Sequence, residues 1–191
     1  MQDLYLVYRE TPATIPEDRQ TTQGRYYLRD AYLRFYFRFI APHERLLEQG
    51  LIPRLWEIIQ DQMRSFVGMT AFEELCREWV LQQARRGALP FMPDRVGSYW
   101  SKEAQIDVVA IRWDEKKILL GEAKWGTEAA GRKVLTDLVA KAPRVVPDEG
   151  KGWTVHYALF ARAGFTDAVQ AEAARRETLL VDLERLGHDL G

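Results

Sequence analysis

The sequence predicts an α/β protein whose core follows the order α-β-β-β-α-β, preceded by a hairpin and a helical extension. An amphipathic helical pattern in "GMTAFEELCREWVLQQARRG" comes before three strand-like runs. A second helical segment and a further strand come after those runs. Apolar and aromatic residues make up 47% of the 191 residues, so the chain can bury a substantial core. We expect a mixed sheet with helices on its faces.

Residues 1–29 predict a β-hairpin with a long tip. Alternation from Leu4 to Val7 indicates the first strand, "RYYLRD" indicates the second, and the polar stretch "PEDRQTTQG" separates them. Because a lone hairpin cannot bury its own face, we expect it to pack on later elements of the chain or to end a larger unit.

Residues 30–65 predict a helical connector. Asp30 is a favourable N-cap for "AYLRFYFRFI", and Pro53 suits the first turn of a second helix. Four rings share one face of the first helix: Tyr32, Phe35, Tyr36 and Phe39. Arginines interleaved with rings can bind single-stranded nucleic acid, but the helical spacing favours a buried face with solvated arginines.

Residues 66–191 predict the αβββαβ core itself. Gly87 is the expected stop of the first helix. The next three strands are expected in "RVGSYWS", "AQIDVVAIRW" and "KKILLGEAKW", and the next helix in "GRKVLTDLVAKAP". The remaining predictions are a strand in "GWTVHYALFAR", a helix in "TDAVQAEAARRE" and a last strand or short turn in "TLLVDLERL".

Two of the predicted strands carry charged residues among apolar ones. The turn "WDEKK" makes these strands antiparallel neighbours, which brings Asp107 near Glu122 and Lys124. One interpretation is an ordinary salt bridge between Lys124 and a carboxylate. The other is a metal site, because two carboxylates at the edge of a core repel each other unless a cation neutralises them. Mg²⁺ takes one or two protein carboxylates, and a lysine beside it can position water or stabilise charge on a phosphate.

A third carboxylate is available from the first core helix. An apolar stripe runs along this helix, formed by Phe72, Leu75, Cys76, Trp79 and Val80. Glu73 lies at the edge of the stripe, whereas Glu74 and Glu78 lie on the opposite, solvated face. Glu73 can therefore reach the polar spot of the sheet, or it is a solvated border residue.

These charged residues, in this order, resemble the PD-(D/E)XK nuclease superfamily. The matching segments are "FEE" around Glu73, "QID" at Asp107 and "EAK" from Glu122 to Lys124, with Ile106 in place of the nominal proline. The resemblance implies a restriction-endonuclease-like fold. It also implies that Glu73, Asp107 and Glu122 hold Mg²⁺ or Mn²⁺ while Lys124 orients the attacking water.

Nearly the whole chain also resembles the domain of unknown function 234, the C-terminal region of prokaryotic AAA/STAND-type ATPases. The matching segments are "GRYYLRDAYLRFYFRFIAPHE", "FVGMTAFEELCREW", "VGSYWSKEAQIDVVAI" and "LLGEAKW". The resemblance implies that the hairpin is the wing of a truncated winged helix, and that a P-loop ATPase domain is a partner in cis or in trans. The chain has no GxxxxGK[ST] motif, so we expect a C-terminal fragment or a truncated member. Gln105 stands where the family often has glutamate, which favours one metal over two.

Two functions are compatible with these patterns. The first is a Mg²⁺-dependent DNA endonuclease, a homodimer if it cuts both strands, with phosphate contacts expected from Arg95, Lys102 and Arg132. The second is a catalytically inactive nuclease-fold module that binds DNA or a partner and regulates an ATPase. The net charge of −1 favours the module mildly, whereas the intact Asp…Glu-x-Lys set favours the enzyme.

Composition and the N-terminus predict a cytoplasmic protein with no membrane span. The only cysteine, Cys76, excludes a disulfide framework and is expected to be a small buried apolar residue. No apolar run approaches the roughly 20 residues of a membrane span, and the charged N-terminus does not resemble a signal peptide.

Overall fold

The computed structural model describes residues 6–191, with the side chain of Met69 excepted. The hairpin strands are β1 (Val7–Glu10) and β2 (Arg25–Leu28), which pair antiparallel. Leu4 and Tyr5 of the strand expected from Leu4 to Val7 lie outside the described residues, and the strand seen among the described residues begins at Val7. Among residues 6–191, no helix has the length and apolar character needed to cross a membrane.

A helical connector lies between the hairpin and the core. It consists of α1 (Ala31–Phe35), a π-helical turn (Tyr36–Ile40), a 3₁₀ turn (Ala41–His43), α2 (Glu44–Glu48) and α3 (Ile52–Val67). Asp30 caps α1 as predicted, because its Oδ1 accepts a hydrogen bond from the N–H of Leu33 at 2.9 Å. Pro53 lies in the first turn of α3, also as predicted.

The core has the predicted αβββαβ order within a longer series of elements. A π-helical turn (Gly68–Phe72) leads into α4 (Glu73–Arg85), and the rest are β3 (Arg95–Trp100), β4 (Gln105–Arg112), β5 (Lys117–Lys124), α5 (Arg132–Val145), β6 (Thr154–Ala161), α6 (Asp167–Arg175), β7 (Leu179–Asp182) and α7 (Leu183–Leu190). The sheet runs β3-β4-β5-β6-β7, with β3, β4 and β5 antiparallel and β5, β6 and β7 parallel. This mixed five-stranded sheet with helices on its faces is the α/β architecture that the sequence predicts.

Helices cover both faces of the sheet. On one face, Leu135 and Leu138 of α5 join a buried cluster with Val109 and Leu120. On the other face, α4 and α7 cover a cluster that contains Trp79, with its ring 5.7 Å from that of Phe160. The apolar stripe of α4 therefore packs on the sheet as expected.

Two details of α4 concern its apolar stripe. Leu75 is exposed although it was expected in the stripe, because it lies at the margin that the sheet does not reach. Cys76 is fully buried as a free thiol, and burial raises its pKa, so it is the small apolar core residue predicted.

The segment predicted as a last strand or short turn contains both a strand and a helix. Asp182 ends β7 and also caps α7, since its Oδ1 accepts a hydrogen bond from the N–H of Arg185 at 2.8 Å. Such a capping residue marks a helix start, and α7 then buries Leu186 against α4.

The residues after β1 dock on β3, the edge strand of the sheet. The N–H of Ala13 donates to the carbonyl of Ser98 at 2.8 Å, and Ala13 is fully buried. The hairpin thus covers an edge that would otherwise present unpaired backbone groups.

Replacing Gly121 with alanine is expected to destabilise the sheet by about 1–3 kcal/mol. A Cβ at this position would lie 2.9 Å from Cβ of Val108 and 3.2 Å from Cε2 of Phe160, so the core would have to shift. Urea unfolding measures the change. Gly187→Ala is the control, because an added Cβ there meets open space and the variant should be no less stable than wild type. Equal stability of the two variants would contradict the prediction.

Candidate functional site

Asp107 and Glu122 meet at one end of the β4–β5 ladder. Pairing of Val108 with Gly121 makes Asp107 and Glu122 the next residues along the two strands. Oδ2 of Asp107 accepts a hydrogen bond from the N–H of Ala123 at 3.0 Å. Each of the two acidic residues is only 9% exposed. The antiparallel turn therefore produces the carboxylate pair that the sequence predicts.

The Glu122 carboxylate lies between two lysines. Its Oε1 is 2.6 Å from Nζ of Lys124, and its Oε2 is 3.0 Å from Nζ of Lys141 on α5. The salt bridge considered from the sequence is therefore present, but it does not involve Lys124 alone. Sequence reasoning missed Lys141, whose only signal is its place beside Leu138 and Ala142 on the buried face of α5.

Burial and like charge disfavour ionisation of Asp107. Burial is the main cause that raises its pKa, and the charge of Glu122 adds to the effect. The N–H of Ala123 and the ammonium groups of Lys124 and Lys141 oppose the rise. Asp107 consequently holds a proton more readily than an ordinary aspartate does.

Glu73 opens α4 and points toward the same region. Burial raises its pKa to about 7, with the charge of Asp107 as the next cause and smaller contributions from Glu10 and Glu122. Arg77 partly offsets the rise. The Glu73 side chain is 25% exposed, so it is neither a core residue nor a fully solvated one.

Arg77 connects α4 to the carboxylate pair. Its Nη1 donates to the backbone carbonyl of Asp107 at 3.0 Å and lies 3.8 Å from Oε2 of Glu73. The residue is one helical turn after Glu73, and nothing in the apolar pattern distinguishes it from other charged residues of α4. It fixes the first half of α4 against the start of β4.

The donor set partly fits a hard divalent cation. Asp107 and Glu122 provide neighbouring carboxylate oxygens, and Mg²⁺ takes one or two such ligands from protein. Within residues 6–191, however, no three His, Cys, Asp or Glu side chains come together closely enough to hold an ion. The structure thus provides a two-carboxylate site with Glu73 at its margin.

The residues expected to contact phosphate lie in different places. Arg95 pairs with Ile111 at the other end of the ladder, and its guanidinium donates to the backbone carbonyls of Thr11 and Ile15. This placement corrects the expectation that Arg95 flanks the site. Lys102, between β3 and β4, and Arg132, at the start of α5, are exposed at the carboxylate end.

Glu74 also departs from its expected place on a solvated face. Its carboxylate accepts two hydrogen bonds from the guanidinium of Arg34, at 2.6 and 3.0 Å. The connector helix α1 brings Arg34 over this face of α4, which the amphipathic pattern of α4 alone does not reveal. Glu74 therefore anchors the connector rather than facing solvent.

Replacing Lys141 with methionine is expected to destabilise the fold by about 1–2 kcal/mol, because Glu122 would lose one of two partners while remaining buried. Thermal or urea unfolding measures the loss. Lys133→Met on the same helix is the control, since Lys133 is exposed. If both variants unfold alike, Lys141 does not support Glu122.

Comparisons with known proteins give one family and two relatives. The model of a family described as "Archaea bacterial proteins of unknown function" matches residues 36–134. The uncharacterized protein MJECL04 of Methanocaldococcus jannaschii is 30% identical over 149 residues, which are 77% of this chain and 33% of that protein. The chain thus spans about a third of the length of this curated relative.

A solved structure, a repair endonuclease from Pyrococcus abyssi, is also similar to this chain. It has 17% sequence identity and a TM-score of 0.38, over 58% of this chain and 46% of that chain. A likeness of this degree carries no argument about activity, which has to come from the site itself.

Proposed function

The chain belongs to the DUF234 family of archaeal and bacterial proteins, and from the geometry of its carboxylate site we propose that it is a metal-dependent DNA endonuclease domain. The observation that carries the proposal is the pair of 9%-exposed carboxylates, Asp107 and Glu122, with Lys124 beside them at an open end of the sheet. A purely structural role does not require two buried like charges on adjacent strands.

In this proposal, Mg²⁺ or Mn²⁺ would be held by Asp107 and Glu122, with Glu73 as a third ligand. When bound, the ion would supply positive charge at the scissile phosphate. Lys124 is more exposed than Lys141, the other lysine that contacts Glu122. Its ammonium can therefore turn away from Glu122 to orient the attacking water. Water oxygen would bond to phosphorus as the bond to the leaving sugar oxygen breaks, with the proton of the attacking water passing to solvent and the leaving oxygen taking a proton from solvent.

The surroundings of the carboxylates support phosphate binding at the same end of the sheet. Lys102 and Arg132 are exposed there and would contact phosphates on either side of the scissile bond. Gln105 is exposed at the start of β4 and adds no charge, which supports a single ion. An ATPase domain, in cis or in trans, and a second copy of the chain are the partners we propose for this domain.

One observation favours a second function, a catalytically inactive nuclease-fold module. Both oxygens of Glu122 already have ammonium partners, Lys124 and Lys141. Two lysines can neutralise two carboxylates without an ion, in which case the fold would bind DNA or regulate an ATPase without cutting.

Titration calorimetry with Mg²⁺ and Mn²⁺, together with nicking of supercoiled plasmid, tests the proposal. We expect binding of one ion and nicking that EDTA abolishes. If the folded wild-type protein binds no ion at pH 7 to 8.5, the endonuclease proposal is contradicted and the inactive module is the function that remains. Ion binding without nicking of any DNA would point to dependence on a partner domain, which adding the ATPase domain would test.

A further inference from the structure

The stretch "RYYLRDAYLRFYFRF", residues 25–39, combines rings with positive charge. It contains seven aromatic residues and four arginines but a single acidic residue, Asp30. The chain as a whole has a net charge of −1, so this stretch is a local excess of positive charge on a nearly neutral protein. Neither the endonuclease chemistry nor the sheet core accounts for it.

The structure buries only a few of these rings. Phe35 and Phe39 pack on Phe66 of α3, with ring centroids 6.3 and 5.2 Å from it. By contrast, Tyr26 is 72% exposed and Tyr32 is 69% exposed. The prediction that four rings share a buried face is therefore wrong for Tyr32, because the small cluster around α3 is too narrow to cover it.

Aromatic rings and arginines line a groove. The groove has a volume of about 450 Å³ between β2, α1 and the end of α3. Tyr26, Tyr27, Arg34, Arg38 and Thr70 are among the residues that line it. Three of them, Tyr27, Arg34 and Thr70, also line a cavity of about 70 Å³ that contains Glu73. The groove and this cavity are therefore adjacent, and Glu73 lines the cavity.

We propose that this groove, called here the ring groove, binds single-stranded nucleic acid. Unpaired bases stack on aromatic side chains regardless of sequence, whereas a duplex keeps its base faces covered. The arginines at the groove complement the phosphate backbone: Arg34 is ion-paired with Glu74, but Arg38 donates to the neutral amide of Gln62, at 2.7 Å. Insofar as the bound strand is the substrate of the carboxylate site, this inference rests on the proposed endonuclease function.

Fluorescence anisotropy with a labelled 15-nucleotide oligo-dT tests the proposal. The measurement is made in EDTA on the full chain, so that cleavage plays no part in it. We expect Tyr26→Ala to weaken binding at least about 5-fold, since each base–ring stack contributes to affinity. Trp56→Ala is the matched control: Trp56 is an exposed ring (54%) on α3 outside the groove, and its loss should leave affinity unchanged.

Two further arms identify the ligand. Arg38→Gln should reduce the slope of log K against log salt by about 0.7, the value for one phosphate contact on a single strand. Oligo-rU in place of oligo-dT distinguishes RNA from DNA, and an unlabelled duplex competitor should displace the strand poorly.

Several results would overturn the inference. One is that the folded wild type binds no oligonucleotide, and another is that it binds duplex and single strand with equal affinity. A third is that the Tyr26 and Trp56 variants lose equal affinity. If Tyr26→Ala instead changes only self-association in sedimentation, the surface contacts protein. Because binding is measured without metal, a protein that binds strands but never cuts them would contradict the endonuclease proposal alone.

Discussion

Asp107→Asn/Glu122→Gln is expected to abolish metal-dependent nicking without loss of fold. The two changes keep the shape of each side chain but remove both negative charges. Replacing a residue that only hydrogen-bonds to a metal ligand already lowers metal affinity or activity by about 10–100-fold. Removing both proposed ligands should therefore lower the cleavage rate by at least about 100-fold. Plasmid nicking at saturating Mg²⁺ measures this loss, and calorimetry should show that ion binding is lost with it.

The same double variant should be at least as stable as wild type at neutral pH. Burial and the charge of Glu122 disfavour the ionised form of Asp107, and these changes remove that cost. The amide oxygen at position 107 can still accept from the N–H of Ala123. Loss of activity with gained stability is the signature of a strained functional site.

Asp137→Asn/Glu128→Gln is the control for this experiment, because both carboxylates are exposed and removing them changes net charge by the same amount. It should cut plasmid like wild type. Should Asp107→Asn/Glu122→Gln nick plasmid at the control rate, the carboxylate pair is not the active site. Should it instead lose stability, the ion pairs of Glu122 with Lys124 and Lys141 stabilise the fold, and the carboxylates have a structural role.

The carboxylate pair could be predicted because it depends only on local rules. A short polar turn joins two apolar strands, so the strands pair antiparallel, and alternation fixes which residues meet across the ladder. Asp107 and Glu122 are 15 positions apart, but one turn determines their contact. The apolar stripe of α4 likewise determined the margin on which Glu73 lies.

Lys141 and Arg77 could not be predicted in the same way. Their contacts span 19 and 30 positions and depend on where a helix comes to rest on the sheet. Helical periodicity identifies a buried face, but it does not tell which charged residue at the border reaches the site. The pairing of Glu74 with Arg34 has the same origin.

The aromatic connector shows where periodicity misleads. Rings at helical spacing predict a buried face only when enough neighbouring surface exists to cover them. Around α3 that surface consists of three fully buried residues, Phe39, Leu55 and Ile59, with a few half-buried neighbours. Tyr32 therefore stays exposed, an outcome that helical spacing alone does not predict.

Glu73→Gln is expected to remove most of the loss of stability that wild type shows as pH rises. The pKa of Glu73 in the folded protein is about 7, above its ordinary value of 4.5, with burial and then the charge of Asp107 as the causes. The folded state therefore binds this proton more tightly than the unfolded chain does. The stability so gained is fully present below pH 4.5 and is lost as pH rises to about 7.

At pH 8, the ionised Glu73 lies beside Asp107 and Glu122 with only partial compensation from Arg77. Glu73→Gln should then be more stable than wild type by up to about 3 kcal/mol, whereas the two proteins should converge near pH 4.5. Urea unfolding in EDTA across pH 4.5 to 8.5 measures both curves. Glu78→Gln, an exposed carboxylate on the same helix, should leave the wild-type curve unchanged.

A Glu73→Gln curve parallel to that of wild type would mean that Glu73 keeps its ordinary pKa and is well paired with Arg77. The addition of Mg²⁺ at pH 8 separates a ligand from a bystander. An ion held partly by Glu73 would stabilise wild type by binding the ionised carboxylate that the fold otherwise disfavours. The same ion would stabilise Glu73→Gln less. That difference would show that the unfavourable charge of Glu73 serves to bind a cation.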